Sequence, residues 1–216
     1  MHHCIKSSKP ERIGDQPYYE YIHNEIVHKA MAFEFPAVDR FVNREADLAA
    51  LENWWDSEDR NALNLHGRRR VGKSWLFRRF AHGKPATVLV ADRLSAGAQW
   101  ARMAAQLEPA LGVRPQIEDI ADLFALLYRL GAETRHLVVV DEFPYLLGTG
   151  AQREAALTAI QSVMEHERDR SQTKVILCGS HVQQMQALMS EGSALRGRLT
   201  TLRVDPLGFG EARELI

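Results

Sequence analysis

The chain has 216 residues, 45% of them hydrophobic and 25% charged, and its 27 basic and 28 acidic side chains leave a net charge of −1. That length accommodates one well-buried α/β domain with some chain to spare, and the near-zero charge excludes a whole-chain electrostatic footprint for nucleic acid. No apolar run approaches the roughly 18 residues of a membrane span and no apolar secretory core accompanies Lys6 and Lys9, so the expected location is cytoplasmic, without membrane contact.

Residues 1–35 are rich in His, Tyr, Lys and Glu, lack a sustained apolar period, and with Pro10, Pro17 and the following Pro36 read as a tail or arm ahead of a core domain at 36–216. Met31, which opens Met-Ala-Phe-Glu-Phe-Pro, is a candidate natural start beside Met1. The His2-His3-Cys4 cluster is short, terminal and without a fourth ligand at usable spacing, so it reads as incidental rather than as a metal site. Cys4 falls in the arm and Cys178 in an expected core strand, which argues against a disulfide framework.

From Arg44 to about Asp56, Ala46, Leu48, Leu51, Trp54 and Trp55 recur at near-helical spacing, with Asn43 as the expected cap. A short strand, Asn61 to His66, then feeds Gly67-Arg68-Arg69-Arg70-Val71-Gly72-Lys73-Ser74. The spacing G-x-x-x-x-G-K-[ST] reads as a phosphate-binding loop, because Gly67 and Gly72 let the backbone curl around an anion with N–H groups turned inward. Lys73 would reach the β- and γ-phosphates, Ser74 would ligate Mg²⁺, and the helix from Trp75 to Ala81 would aim its positive end at the same phosphates. The candidate nucleotide contacts are therefore Gly67, Arg68, Arg69, Arg70, Val71, Gly72, Lys73, Ser74 and Trp75. Taken alone, the octet also fits a basic turn before an amphipathic helix. Arg68, Arg69 and Arg70 with Arg78 and Arg79 make a basic neighbourhood whose first explanation is the phosphate site and whose second is DNA contact.

A second strand, Ala86 to Ala91, leads to a helix from about Ala96 to Leu111, a break at Gly112 to Gln116, and a helix from about Ile117 to Leu130. His136 to Val140 is an apolar, β-branched run ending in Asp141-Glu142, the pattern of a buried parallel strand with two carboxylates at its tip. This is a Walker B pattern: Asp141 would hold the Mg²⁺ shell and Glu142 would polarise the water that attacks the γ-phosphate. A helix from about Gln152 to Glu167 precedes the strand Lys174 to Cys178, which runs into Gly179-Ser180-His181. Ser180 fits two roles, a sensor of the γ-phosphate or attacking water and the N-cap of a helix over His181 to Met189. The last strand is Thr200 to Val204, and Gly210 to Ile216 reads as a helix just begun. Strands alternating with helices predict an α/β fold, a parallel sheet of about five strands covered on both faces, with the motif-bearing tips along one edge.

From about Phe41 onward the chain resembles the archaeal-type ATPases of the STAND/AAA+-related P-loop group. Phe41-Val42-Asn43-Arg44-Glu45, followed by Leu48 and Leu51, is similar to that family's opening F-x-x-R-E-x-E-L box, with Asp47 where relatives usually have Glu. Gly67 to Ser74 matches its G-x-R-R-V-G-K-[ST] form, and Asp141-Glu142-Phe143-Pro144-Tyr145-Leu146 its D-E-F-x-Y-L form. Gly179-Ser180, Met185 and Leu195-Arg196-Gly197-Arg198-Leu199-Thr200 resemble the G-S, M and L-x-G-R-x-T signature, and Pro206-Leu207, Phe209, Glu211 and Ala212 the P-L-x-F-x-E-A box.

The resemblance implies a three-layer P-loop NTPase fold of the ASCE/AAA+ kind, with ATP and Mg²⁺ as ligands and the opening box beside the base. It gives Arg198 a role at the γ-phosphate, in its own chain or a neighbour's, against the alternative of a surface salt bridge. Relatives usually continue into a helical lid and a winged-helix or nuclease-like C-terminal module, so a chain stopping at Ile216 is expected to be truncated, its partner being that module or another protein. Three readings follow: a slow Mg²⁺-dependent ATPase switch, a non-hydrolysing nucleotide-binding scaffold or regulator, and a DNA-associated ATPase. No guanine-reading N-K-x-D motif is evident, which favours ATP over GTP.

Overall fold

Aliphatic and β-branched runs, too short for buried helices and bounded by turn residues, form five strands. In the computed structural model these are β1 (Ala62–His66), β2 (Ala86–Val90), β3 (His136–Asp141), β4 (Thr173–Gly179) and β5 (Leu199–Arg203). They make one sheet in the order β2-β3-β4-β1-β5, and every neighbouring pair is parallel. The structure describes residues 44–207 and, of the preceding chain, only the backbone of Arg12–Ile13 paired antiparallel with Gln16–Pro17. The expected arm, Met31 start, His2-His3-Cys4 cluster, Asn43 cap and helix beginning at Gly210 otherwise lie outside the described residues.

Among the described residues six α-helices flank the sheet: α1 (Glu45–Asp56), which precedes β1, and α2 (Lys73–Ala81), α3 (Ala96–Leu111), α4 (Ile120–Arg129), α5 (Ala151–Glu167) and α6 (Val182–Ala187), which join the strands. Alternation along each strand sorts the core into two layers. Leu63, Leu65, Leu137, Val139 and Ile176 face α1 and α2, while Val138, Val140, Val175 and Leu177 face α3 to α6. The expected three-layer α/β architecture of a P-loop NTPase is the one observed.

The differences from expectation have local causes. α4 starts at Ile120 rather than Ile117 because the Asp119 carboxylate accepts the Asp122 N–H at 3.0 Å and caps the helix there. Arg44 takes the N-cap position of α1, its carbonyl accepting the Leu48 N–H at 2.9 Å while its side chain makes no cap bond. Lys174, at the start of β4, is buried: its ammonium donates to the carbonyls of Trp54 (2.8 Å), Ser57 (2.9 Å) and Asp59 (2.6 Å), tying the C-terminal end of α1 to the sheet.

His136, also buried at the start of β3, bonds through Nε2 to the Thr87 hydroxyl at 2.9 Å. Burial pushes it from its ordinary 6.5 down to about 4. Between those values the unfolded chain binds a proton that the folded chain refuses, so stability falls as pH drops through that window. The contribution lost by pH 4 is about 3 kcal/mol, and denaturant titrations at neutral pH and near pH 4 are expected to show this drop in the wild type and a smaller one in His136→Gln. Equal drops in the two chains would assign the acid sensitivity elsewhere.

Candidate active site

Each strand presents its C-terminal tip at the same edge, and the ladder places His66 beside both Gly179 and Arg203. Gly67 comes next, with Val204 drawn against it by the Val204 N–H, which donates to the His66 carbonyl at 2.8 Å. A Cβ on Gly67 would lie 2.2 Å from the Val204 carbonyl oxygen, so no larger residue fits unless the backbone shifts. The turn then passes through two positive φ values, 65° at Arg70 and 95° at Gly72. Gly72 is the N-cap of α2 and no side chain caps that end, which leaves the first turn's N–H groups facing an approach suited to an anion.

Lys73 and Ser74 fall in the first turn of α2, two residues earlier than the expected helix start. Lys73 is buried, and its ammonium donates to the carbonyls of Gly67 at 2.9 Å and Arg68 at 3.0 Å, across the base of the loop. The Ser74 hydroxyl donates to the Asp141 carboxylate at 3.3 Å. Around Lys73 and Ser74 the loop residues Arg68, Arg69 and Arg70 are exposed, as are Trp75, Arg78 and Arg79 on the outer face of α2.

Asp141 ends β3, and its second oxygen accepts the Glu142 N–H at 3.0 Å. Glu142 has left-handed backbone, φ 52°, a conformation that costs a non-glycine residue roughly 1–2 kcal/mol. A 3₁₀ turn, Phe143–Leu146, takes the chain away and seats Phe143 edge-on against Phe124 at 6.2 Å. From β4, the Ser180 hydroxyl lies 2.8 Å and 3.1 Å from the two Glu142 carboxylate oxygens, donating its single proton to that group. Ser180 is therefore not the N-cap considered from the sequence; His181 holds that position and no side chain caps α6. Gly179 permits this closeness, since a Cβ there would meet the Met185 sulfur at 2.7 Å and Pro144 at 3.1 Å. Cys178, fully buried, lies beneath Asp141: burial first, and then the Asp141 carboxylate that it hydrogen-bonds, push its thiol well above the usual range.

The fold thus brings together Gly67 to Trp75, Asp141, Glu142 and Ser180. Arg198 is elsewhere. It stands just before β5, where its carbonyl accepts the Ala62 N–H at 3.1 Å, and its guanidinium pairs with Glu165 on α5. Five residue steps along the strand separate it from Arg203 at the loop edge, about 16 Å at the rise of a parallel strand. Of the two roles considered for Arg198, the salt bridge is the one with a partner among the described residues.

One contributor was not assigned from sequence. Arg44, named there only as part of the opening box, donates through one guanidinium nitrogen to the carbonyls of Val71 and Asp205, each at 2.7 Å. Nothing in the local pattern pointed to those partners, which lie 27 and 161 residues away. An open cleft of about 540 Å³, lined by Trp100, Ile120, Tyr145 and Leu147 among others, borders the 3₁₀ turn but none of the loop residues.

Ser74 and Asp141 offer two hard oxygen donors on adjoining elements, a set that suits Mg²⁺ with waters completing its shell. Among the described residues no group of three or more His, Cys, Asp and Glu side chains is placed to hold a metal. No helix among them is long and apolar enough to cross a membrane.

A family model described as an AAA domain matches residues 56–187. An uncharacterized protein of Methanocaldococcus jannaschii is 28% identical over 176 residues, which cover 81% of this chain and 38% of that protein. An uncharacterized ATP-binding protein of the same organism is 46% identical over 44 residues, 20% of this chain and 75% of the relative. Among solved structures, the Walker-type ATPase of Pyrococcus abyssi superposes with a TM-score of 0.64 at 21% identity, covering 86% of this chain and 60% of the other. The chain thus spans well under half the length of the first relative and three fifths of the solved ATPase.

Proposed function

The chain belongs to the AAA domain family, and from that premise we propose that it binds ATP with Mg²⁺ at the loop edge and hydrolyses it slowly to ADP and phosphate as a conformational switch. The observation that carries this reading is the meeting of three strand tips: Lys73 and Ser74 after β1, Asp141 and Glu142 after β3, and Ser180 after β4. In this reading the loop N–H groups and the start of α2 hold the phosphates, Lys73 leaves its two carbonyls to meet the β- and γ-oxygens, and Ser74 and Asp141 hold the metal. Mg²⁺ would supply charge neutralisation on the phosphate oxygens. Glu142 orients the attacking water and takes its proton, and Ser180 sets the direction of the Glu142 carboxylate. Calorimetric titration with Mg-ATP tests it: saturable binding supports the site, and no heat at any concentration overturns it.

One observation favours a second reading, a nucleotide-holding regulatory or scaffold module. Ser180 already donates to the Glu142 carboxylate, which leaves that group fewer free acceptor positions with which to engage a water. Steady-state phosphate release separates the two readings.

Arg198 can serve such a site only from a neighbouring copy, since it lies at the opposite edge of its own sheet. Arg198→Ala is accordingly expected to leave the Mg-ATP affinity of the dilute chain within about twofold of wild type, its exposed ion pair with Glu165 contributing little. A larger loss in calorimetry would place the guanidinium at the site after all.

A further inference from the structure

Resting on the nucleotide-site reading above, we propose that Arg44 is a positioning residue: it sets the shape of the phosphate loop and ties that loop to the segment leaving β5. Its side chain is 11% exposed, and its guanidinium is held by Asp47 at 3.0 Å. One nitrogen then bridges two carbonyls, Val71 in the loop and Asp205 after β5. Val71 lies between the two positive-φ residues of the loop, Arg70 and Gly72, where backbone direction is least determined by local preference. A trans peptide is planar, with its C=O and N–H pointing opposite ways. Holding the Val71 carbonyl toward Arg44 therefore turns the Gly72 N–H away from it, and in this reading toward the phosphate. Arg44 orders an anion-binding donor without touching the anion.

The second carbonyl gives the contact its reach. Val204 braces the start of the loop by packing directly against Gly67, and Asp205 braces its far end through Arg44. Both ends of the loop thus lean on two adjacent residues, and those residues lead straight into Pro206 and Leu207. A change in the loop on nucleotide binding is felt where the chain leaves the sheet. Lysine cannot reproduce this arrangement, because its single ammonium lacks the planar fork that spans Asp47 on one nitrogen and two carbonyls on the other.

The test is calorimetry with Mg-ATP on wild type, Arg44→Ala and Arg44→Lys, with amide exchange followed over residues 45–56, 67–74 and 203–207. Arg44→Ala is expected to weaken Mg-ATP binding about tenfold, to speed exchange in 67–74 without nucleotide, and to abolish the protection that Mg-ATP confers on 203–207 in wild type. Arg44→Lys is expected to fall between, and it supplies the readout if Arg44→Ala fails to fold. Faster exchange confined to 45–56, with affinity and the response of 203–207 retained, would mean that Arg44 only steadies α1 and would overturn the proposal. A wild type that binds no nucleotide overturns the parent reading instead, and the tie is then judged by nucleotide-free exchange alone: unchanged rates at both 67–74 and 203–207 in the variants would refute it.

Discussion

Glu142→Gln is expected to reduce phosphate release by roughly 10²–10⁴-fold while Mg-ATP still binds within about twofold of wild type, the range associated with loss of a general base. Glu142 sits on left-handed backbone at the tip of β3, beyond the Ser74–Asp141 pair, and its carboxylate is directed by Ser180. Glutamine has nearly the same shape and can still accept the Ser180 proton, so the arrangement survives while the ability to take a proton from water does not. Binding and chemistry are thereby separated by one atom. Equal release from both chains would remove Glu142 from the mechanism. No release above buffer from the wild type, with binding intact, would select the non-hydrolysing module.

Lys73→Ala is expected to weaken Mg-ATP binding about tenfold or more, because a charge-assisted contact of roughly 1.5–3 kcal/mol is lost. The Lys73 ammonium bridges the Gly67 and Arg68 carbonyls, so it is buried and oriented beside the loop. Little side-chain entropy remains to be lost when phosphate replaces those carbonyls. Alanine removes the donor and leaves two loop carbonyls without it, so part of any effect is a looser loop. A thermal melt of the variant measures that part separately. Unchanged affinity with an unchanged melt would mean that the loop does not hold phosphate through Lys73.

The meeting of the tips depends on strand order. β1 lies between β4 and β5, and β4 lies between β1 and β3, so the loop after β1 finds Ser180 on the adjacent strand and Asp141 on the next. Side-chain partners follow from that order. Ser180 illustrates it: a small polar residue between a strand and a helix fits a cap as well as a sensor, and only the approach of Glu142 from β3 decided how its hydroxyl is used. Lys174 shows the same in the core, because a lysine opening a strand carries no local sign that three carbonyls from α1 and its following turn will enclose it.

What the sequence determined by itself was local. The alternation of strand and helix, the spacing of Gly67, Gly72, Lys73 and Ser74, and the acidic pair at the end of an apolar strand are written in side-chain period and backbone freedom, which act over a few residues. The tertiary structure alone decided what depends on register and strand order: that Arg198 stands just before β5, at the end away from the loop, and that Arg44 reaches Val71 and Asp205. Those partners are chosen by how the layers close over the sheet, and no pattern within a single element encodes that.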